Sequence, residues 1–152
     1  MKKYKISIIT VTKNSEKFLQ ETIDSLSKQT YQNFEHIVVD GASTDHTLDI
    51  IKKNSYQIKK WVSEPDDGLY YAINKGIKFC SGDVIGILNS DDVYFPDALK
   101  IVNKYFLENQ IDFLFGSVFK HKLMHGFYPK KIKWTFGFYT THSIGFFIKK
   151  SS

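Results

Sequence analysis

The residues best suited to chemistry stand in three short acidic runs. Asn89-Ser90-Asp91-Asp92 follows the apolar stretch VIGIL, Asp40-Gly41-Ala42-Ser43-Thr44-Asp45 follows HIVV, and Glu64-Pro65-Asp66-Asp67-Gly68 follows KWVS. Two adjacent carboxylates repel each other unless a cation or hydrogen-bond donors stand between them. Magnesium or manganese on a diphosphate is commonly held by one or two protein carboxylates, with phosphate oxygens and waters completing its shell. Asp91 and Asp92 therefore suit a metal that carries a phosphorylated ligand. Asp40 suits another task, since an acid at a strand end in nucleotide-binding sheets accepts hydrogen bonds from a ribose. Each run also has a plainer reading. Asp91 or Asp92 could cap a turn, Asp40 could close an Asx turn or cap the next helix, and Asp66 or Asp67 could cap a helix beginning near Leu69. Three acidic strand ends converging on one edge of a sheet call for a compensating ligand or cation.

The elements that must carry these runs are read from hydrophobic spacing. Residues 5–11 form a β-rich apolar run, and residues 15–28 place Phe18, Leu19, Ile23 and Leu26 at helical spacing behind Ser15 as N-cap. The alternation continues with strands at 36–39, 60–63, 84–88 and 113–119 and helices at 44–53, 68–79 and 96–107, then a β-like run at 143–149. This order predicts an α/β fold, a mainly parallel sheet with helices on both faces. Ligands in such sheets bind at the carboxyl ends of the strands, where the acidic runs lie.

Composition narrows the function. The chain of 152 residues, 42% hydrophobic and 16% aromatic, suits one core. No apolar run approaches the roughly 20 residues that cross a bilayer, which predicts a cytoplasmic protein. Cys80 is the single cysteine and is expected to be buried filler. The net charge of +5 is uneven: residues 1–112 hold 14 Lys and all 16 acids, residues 113–152 hold 7 Lys and no acid. With no arginine, phosphate must be met by Lys, backbone amides or a metal, which argues against a nucleic-acid partner. The loop after the first strand, Thr12-Lys13-Asn14-Ser15, lacks glycine, so the dinucleotide and P-loop fingerprints are absent. The same loop lacks the Gly-rich, basic character expected of a nucleotidyltransferase and the acids expected of a phosphoacceptor receiver domain.

Taken together, the segments ISIITVTKNSEKFLQETIDSLSKQTYQNFEHIVVDGASTDHT, WVSEPDDGLYYAINKGI and GDVIGILNSDDVYFPDAL resemble the signature stretches of family 2 inverting glycosyltransferases with the GT-A fold. The resemblance runs from about Ile6 to Leu99 and implies one GT-A domain over residues 1–152. Residues 1–112 would be its nucleotide-binding part and 113–152 the start of its acceptor-side part. It implies that Thr10, Val11 and Thr12 lie against the nucleotide base, that Asp40 bonds the base or ribose, and that Asp66, Asn74 and Lys75 line the floor. Asp91 would face the ribose or donor sugar, and Asp92 would bind the divalent metal, Mn2+ or Mg2+, on the diphosphate. Two positions depart from the pattern: Ala42 stands where Ser is usual, and Tyr71 where Asp is common.

The resemblance further implies a UDP- or GDP-linked sugar donor, a saccharide or lipid-linked acceptor, and a role in cell-surface polysaccharide biosynthesis. The stretch Thr141 to Lys149 is similar to an H-x-S-x-x-F segment near the acceptor side, or is a plain buried strand. The family's catalytic base is an Asp or Glu beyond that segment. No acid follows Asp112, so the base is expected past residue 152, with His142 as the alternative proton acceptor. The chain is thus expected to be a truncated enzyme, or alternatively a catalytically incomplete sugar-nucleotide-binding module. Lys130, Lys131 and Lys133 beside Trp134 could dock on the anionic inner face of a membrane or form a solvated loop.

Overall fold

The computed structural model describes residues 3–116, 118–120, 122–124 and 145–150. Its elements are β1 (Ile6–Thr12), α1 (Leu19–Ser27), β2 (Phe34–Asp40), α2 (Thr47–Lys53), β3 (Lys60–Ser63), α3 (Leu69–Phe79), β4 (Val84–Ile87), α4 (Ala98–Glu108), β5 (Phe113–Phe115), β6 (Val118–Lys120), β7 (Lys122–Met124) and β8 (Phe146–Lys149). Six strands form one sheet in the order β3-β2-β1-β4-β8-β5, and β6 pairs with β7 in a separate hairpin. β1 runs parallel to both β2 and β4, and β3 parallel to β2. β8 is antiparallel to β4 on one side and to β5 on the other.

β1 is buried along its whole length, as a central strand covered on both faces must be. Its alternate residues feed different cores. Ile9 and Val11 pack with Ile37, Val39 and Ile85 against Ala72 and Ile73 of α3. Ile6 and Ile8 pack with Val84 and Phe147 against Leu26 of α1 and Leu99, Val102 and Phe106 of α4. A third cluster joins Leu19 and Ile23 of α1, Ile51 of α2 and Val38. Helices therefore cover both faces, as hydrophobic alternation predicts.

The sheet closes around one glycine. A Cβ on Gly86 of β4 would stand 2.6 Å from the ring carbon Cδ1 of Phe147 and 3.1 Å from Cδ1 of Ile8. The missing side chain lets β8 bring its aromatic residue close against β4.

Several boundaries differ from the sequence reading. α1 begins at Leu19, not behind a Ser15 cap: the Ser15 carbonyl accepts from the N–H groups of Phe18 (3.1 Å) and Leu19 (3.0 Å), and no side chain caps the helix. α2 begins at Thr47, because residues 43–45 are engaged in loop hydrogen bonds. The expected strand at 113–119 is two short strands in different sheets. Within the expected strand at 143–149, β8 occupies Phe146–Lys149. His142, Lys130, Lys131, Lys133 and Trp134 lie outside the described residues. Among the described residues no helix is long and apolar enough to cross a membrane.

Candidate functional site

β1 to β4 all end on one side of the sheet. The chain moves outward from β1 to β2 and β3, then returns to β4 on the opposite flank of β1. Such a reversal of strand order opens a crevice beyond the strand ends. The acidic runs stand there, as their position after each strand foretells.

Thr12, at the end of β1, is the register partner of Asp40, which in turn partners Ser63. Asp40 has no exposed surface. Its Oδ2 accepts from the Ser43 N–H (3.0 Å) and the Ser63 hydroxyl (2.6 Å), and its Oδ1 accepts from the Ser43 hydroxyl. A carboxylate offers about four lone-pair positions, so these donors nearly saturate Asp40 without a cation. The compensation expected from a ligand is supplied at this acid by two serines, neither of which sequence reasoning singled out. The Asx-turn alternative is realised in the bond from Ser43.

Asp66 lies close to the backbone that leaves β2. A Cβ on Gly41 would be 2.8 Å from its Oδ2, so the bare glycine lets the carboxylate stand where it does. Its Oδ1 accepts from the Gly68 N–H at 2.9 Å, just ahead of α3. Lys75 of α3 reaches back to Glu64 at 2.7 Å, a half-exposed pair that ties the helix to the end of β3. Asn74 is exposed on the same helix.

The three residues of the β1 end separate. Thr10 is fully buried, with its Oγ1 2.9 Å from Nε2 of His36. Val11 packs in the α3-facing core. Thr12 is only 6% exposed, and its Oγ1 has no hydrogen-bond partner. An unpaired buried hydroxyl carries a desolvation cost, and this one sits at the strand end beside Asp40.

The loop after β1 is bonded to its neighbours on both sides. Asn14 (φ 51°) and Ala42 (φ 57°) hold left-handed conformations that side chains disfavour. The Asn14 N–H donates to the Ser43 hydroxyl (2.8 Å), and the Thr44 N–H donates to Asn14 Oδ1 (2.9 Å). Across the other flank, the hydroxyls of Ser15 and buried Ser90 lie 2.8 Å apart. The Asn89–Asp92 turn is thereby fastened to the β1 loop.

Asp91 is exposed and Asp92 partly buried. The Asp92 N–H donates to the Asn89 carbonyl (3.1 Å), and Asn89 Nδ2 donates to Asp92 Oδ2 (3.0 Å). Tyr94, two residues on, donates its phenol to the Ile87 carbonyl at 3.1 Å. Burial, aided by the nearby Asp92 carboxylate, pushes that phenol well above the usual tyrosine range, so it stays protonated. Among the described residues no group of three or more His, Cys, Asp or Glu could hold a metal. The donor set here is at most a carboxylate pair of hard oxygens. That fits a magnesium- or manganese-type ion whose remaining ligands come from a diphosphate and water, and does not fit a metal caged by protein alone.

Known proteins resemble this chain in sequence and in architecture. The chain is 34% identical over 118 residues to UDP-Glc:alpha-D-GlcNAc-diphosphoundecaprenol beta-1,3-glucosyltransferase WfgD of Escherichia coli, covering 77% of the chain and 47% of that protein. It thus spans less than half the length of this curated relative. Its structure superposes on S. aureus TarS 1-349 in complex with UDP-GlcNAc with a TM-score of 0.68 and 32% identity, covering 73% of this chain and 33% of that one. Mannosyltransferase PcManGT from Pyrobaculum calidifontis, in complex with GDP-Man and Mn2+, shares the fold at a TM-score of 0.68 and 22% identity, over 74% of this chain and 35% of that one. The architecture is the GT-A fold. Residues 7–151 match Glycosyl transferase family 2, and the chain belongs to that family.

Proposed function

We propose that the strand-end crevice binds a nucleoside-diphosphate sugar, UDP- or GDP-linked, and that the chain supplies the donor side of an inverting glycosyl transfer. The observation that carries this reading is the unpartnered, buried Thr12 hydroxyl beside Asp40, a polar atom waiting for a ligand group at the reversal of strand order. The UDP-GlcNAc-bound relative of 32% identity supports a sugar nucleotide as that ligand.

In this reading Thr12 hydrogen-bonds the nucleoside, with Val11 beneath it, while Thr10 supports the strand from within the core. Asp40 fixes the loop and offers its one remaining lone-pair position to a base or ribose donor. Asp66, Asn74 and Lys75 form the floor. Asp91 faces the ribose or sugar, and Asp92 holds Mn2+ or Mg2+ against the diphosphate. The metal, when bound, offsets the negative charge that builds on the departing diphosphate. Reaction is an in-line displacement: an acceptor oxygen bonds the anomeric carbon, the bond to the diphosphate oxygen breaks, and the acceptor proton passes to a base. The family resemblance and the diphosphoundecaprenol substrate in the relative's name support a saccharide or lipid-linked acceptor, in surface polysaccharide synthesis at the inner face of a membrane, as the rest of this proposal.

Calorimetric titration of UDP, GDP, CDP and dTDP, with and without Mn2+, tests the reading. One nucleotide should bind, and more tightly with Mn2+. No binding by any of the four would sink the donor site; binding indifferent to Mn2+ would sink the role of the acid pair.

A further inference from the structure

The buried side of α1 is not apolar throughout. Among Leu19, Ile23 and Leu26, which pack in the core, stand Thr22, Ser25 and, just past the helix end, Gln29, with exposures of 0%, 7% and 2%. All three reach the backbone of one stretch, residues 92–99, which leads from the acid pair into α4. Residues 92–95 belong to no helix or strand. The Thr22 hydroxyl donates to the Asp92 carbonyl at 2.8 Å. The Tyr94 N–H donates to the Ser25 hydroxyl at 3.2 Å, and that hydroxyl in turn donates to the Thr22 carbonyl at 2.7 Å. Gln29 Nε2 donates to the Phe95 carbonyl at 2.8 Å, and Gln29 Oε1 accepts from the Leu99 N–H at 3.1 Å. The Thr30 N–H extends the series to the Pro96 carbonyl at 2.9 Å.

Backbone groups removed from water need partners, and here α1 side chains provide what an adjacent strand otherwise would. Apolar residues at 22, 25 and 29 could fill the same space. They would leave the carbonyls of Asp92 and Phe95 and the N–H groups of Tyr94 and Leu99 without these partners. Burying three polar side chains on one helix flank is costly unless each is satisfied, and each is. The clamp begins at the residue assigned to the metal.

We infer that Thr22, Ser25 and Gln29 are positioning residues: a side-chain ladder that fixes the backbone from Asp92 onward and sets where the Asp92 carboxylate stands before a ligand arrives. The inference rests on the reading of Asp92 as the metal-holding carboxylate. Its test is a comparison of UDP and GDP affinity with and without Mn2+, together with amide hydrogen exchange of the metal-free protein. Thr22→Val keeps the shape and loses the hydroxyl, Thr22→Ser returns it, and Ser25→Ala removes the acceptor of the Tyr94 N–H.

Thr22→Val and Ser25→Ala should leave metal-free affinity intact and reduce the gain from Mn2+ by about fivefold to tenfold. Thr22→Ser should restore the gain. Without metal, Ser25→Ala should speed exchange of the Tyr94 amide by about tenfold. Should Thr22→Val fail to fold, Ser25→Ala carries both readouts. Unchanged Mn2+ gains in the folded variants overturn the ladder. A parallel loss with and without Mn2+ also overturns it, since that marks a merely structural role. If the unmutated chain binds either nucleotide but gains nothing from Mn2+, it is the metal assignment of Asp92 that fails, and the inference fails with it.

Discussion

The hydroxyls of Ser15 and Ser90 meet at 2.8 Å across the gap between the loops that leave β1 and β4. This contact spans 75 residues of sequence and ties the two sides of the crevice. Its worth is measurable by a double-mutant cycle in urea. Ser15→Ala and Ser90→Ala should each cost about 1 kcal/mol, and the double variant should cost less than their sum by about 0.5–1 kcal/mol. Strict additivity would show that the hydroxyls do not cooperate.

Asp92 and Asp40 should fail in different ways. Asp92→Ala should abolish the Mn2+ contribution to nucleotide binding and leave folding almost unchanged. Asp40→Ala strips the partner from Ser43 and Ser63 in a fully buried position, and should lower stability by about 2–3 kcal/mol. It should weaken nucleotide binding equally with and without Mn2+. Calorimetry beside urea denaturation separates the two, and a Mn2+-specific defect in Asp40→Ala would reverse their assignments.

His36 gives the protein a dependence on pH. Burial lowers its pKa from 6.5 to about 3, so the imidazole is neutral in the folded protein while the unfolded chain takes up a proton near pH 6.5. Its contribution to stability is complete above pH 6.5 and falls as acid is added, by about 1.4 kcal/mol per pH unit, until the folded group titrates near pH 3. Glu35 adds a second, lower limb. Burial favours its neutral form, but the Lys5 ammonium and bonds from Ser7 and Ser81 prevail and hold its carboxyl at about 2, down from 4.5. Its stabilisation is present above about pH 4.5 and lost on the way down to about 2. Urea midpoints between pH 7.5 and 5 cover the first limb, and the part due to His36 is the slope that His36→Leu removes. An unaltered slope in that variant would mean that another group controls it.

Gly86→Ala should clash with the ring of Phe147 and cost about 1–3 kcal/mol. Phe147→Leu in the same chain should recover part of that loss, since a branched aliphatic side chain can yield where the ring cannot. Thermal melts of the two variants beside the unmutated protein decide it. A Gly86→Ala protein as stable as the unmutated one would mean that β8 does not press on β4 as described.

The gathering of the acids at one sheet edge is legible where chemistry and topology coincide. Asp40, Asp66, Asp91 and Asp92 each follow an apolar run, and a parallel sheet gathers such positions at one edge whatever the details of packing. The ties among them were less legible. Ser43, Ser63 and Ser90 read as ordinary loop residues, since nothing local tells a serine that bonds a distant carboxylate from one that faces water. Thr22 and Gln29 carry no local signal for a similar reason: polar residues on or just past an amphipathic helix suggest a wet face, yet these are as buried as their leucine neighbours. Thr10 shows the converse, a residue expected at the ligand whose hydroxyl is taken by His36 within the core. The antiparallel placement of β8 between β4 and β5 depends on a return of the chain over some thirty residues, and periodicity carries no information about direction.

The position of β8 also bears on the order in which the protein is made. β4 and β5 leave the ribosome first, but among the described residues β5 is hydrogen-bonded into the sheet only through β8. While residues 116–145 are being synthesised, the outer edge of β4 has no partner strand, and the place of Phe147 in the core is empty. A bare edge beside an unfilled apolar cavity invites pairing with other chains. Chains in which Phe146 to Lys149 have yet to emerge are therefore the ones most exposed to such pairing, and the docking of β8 ends the exposure by completing the interior of the sheet rather than its rim.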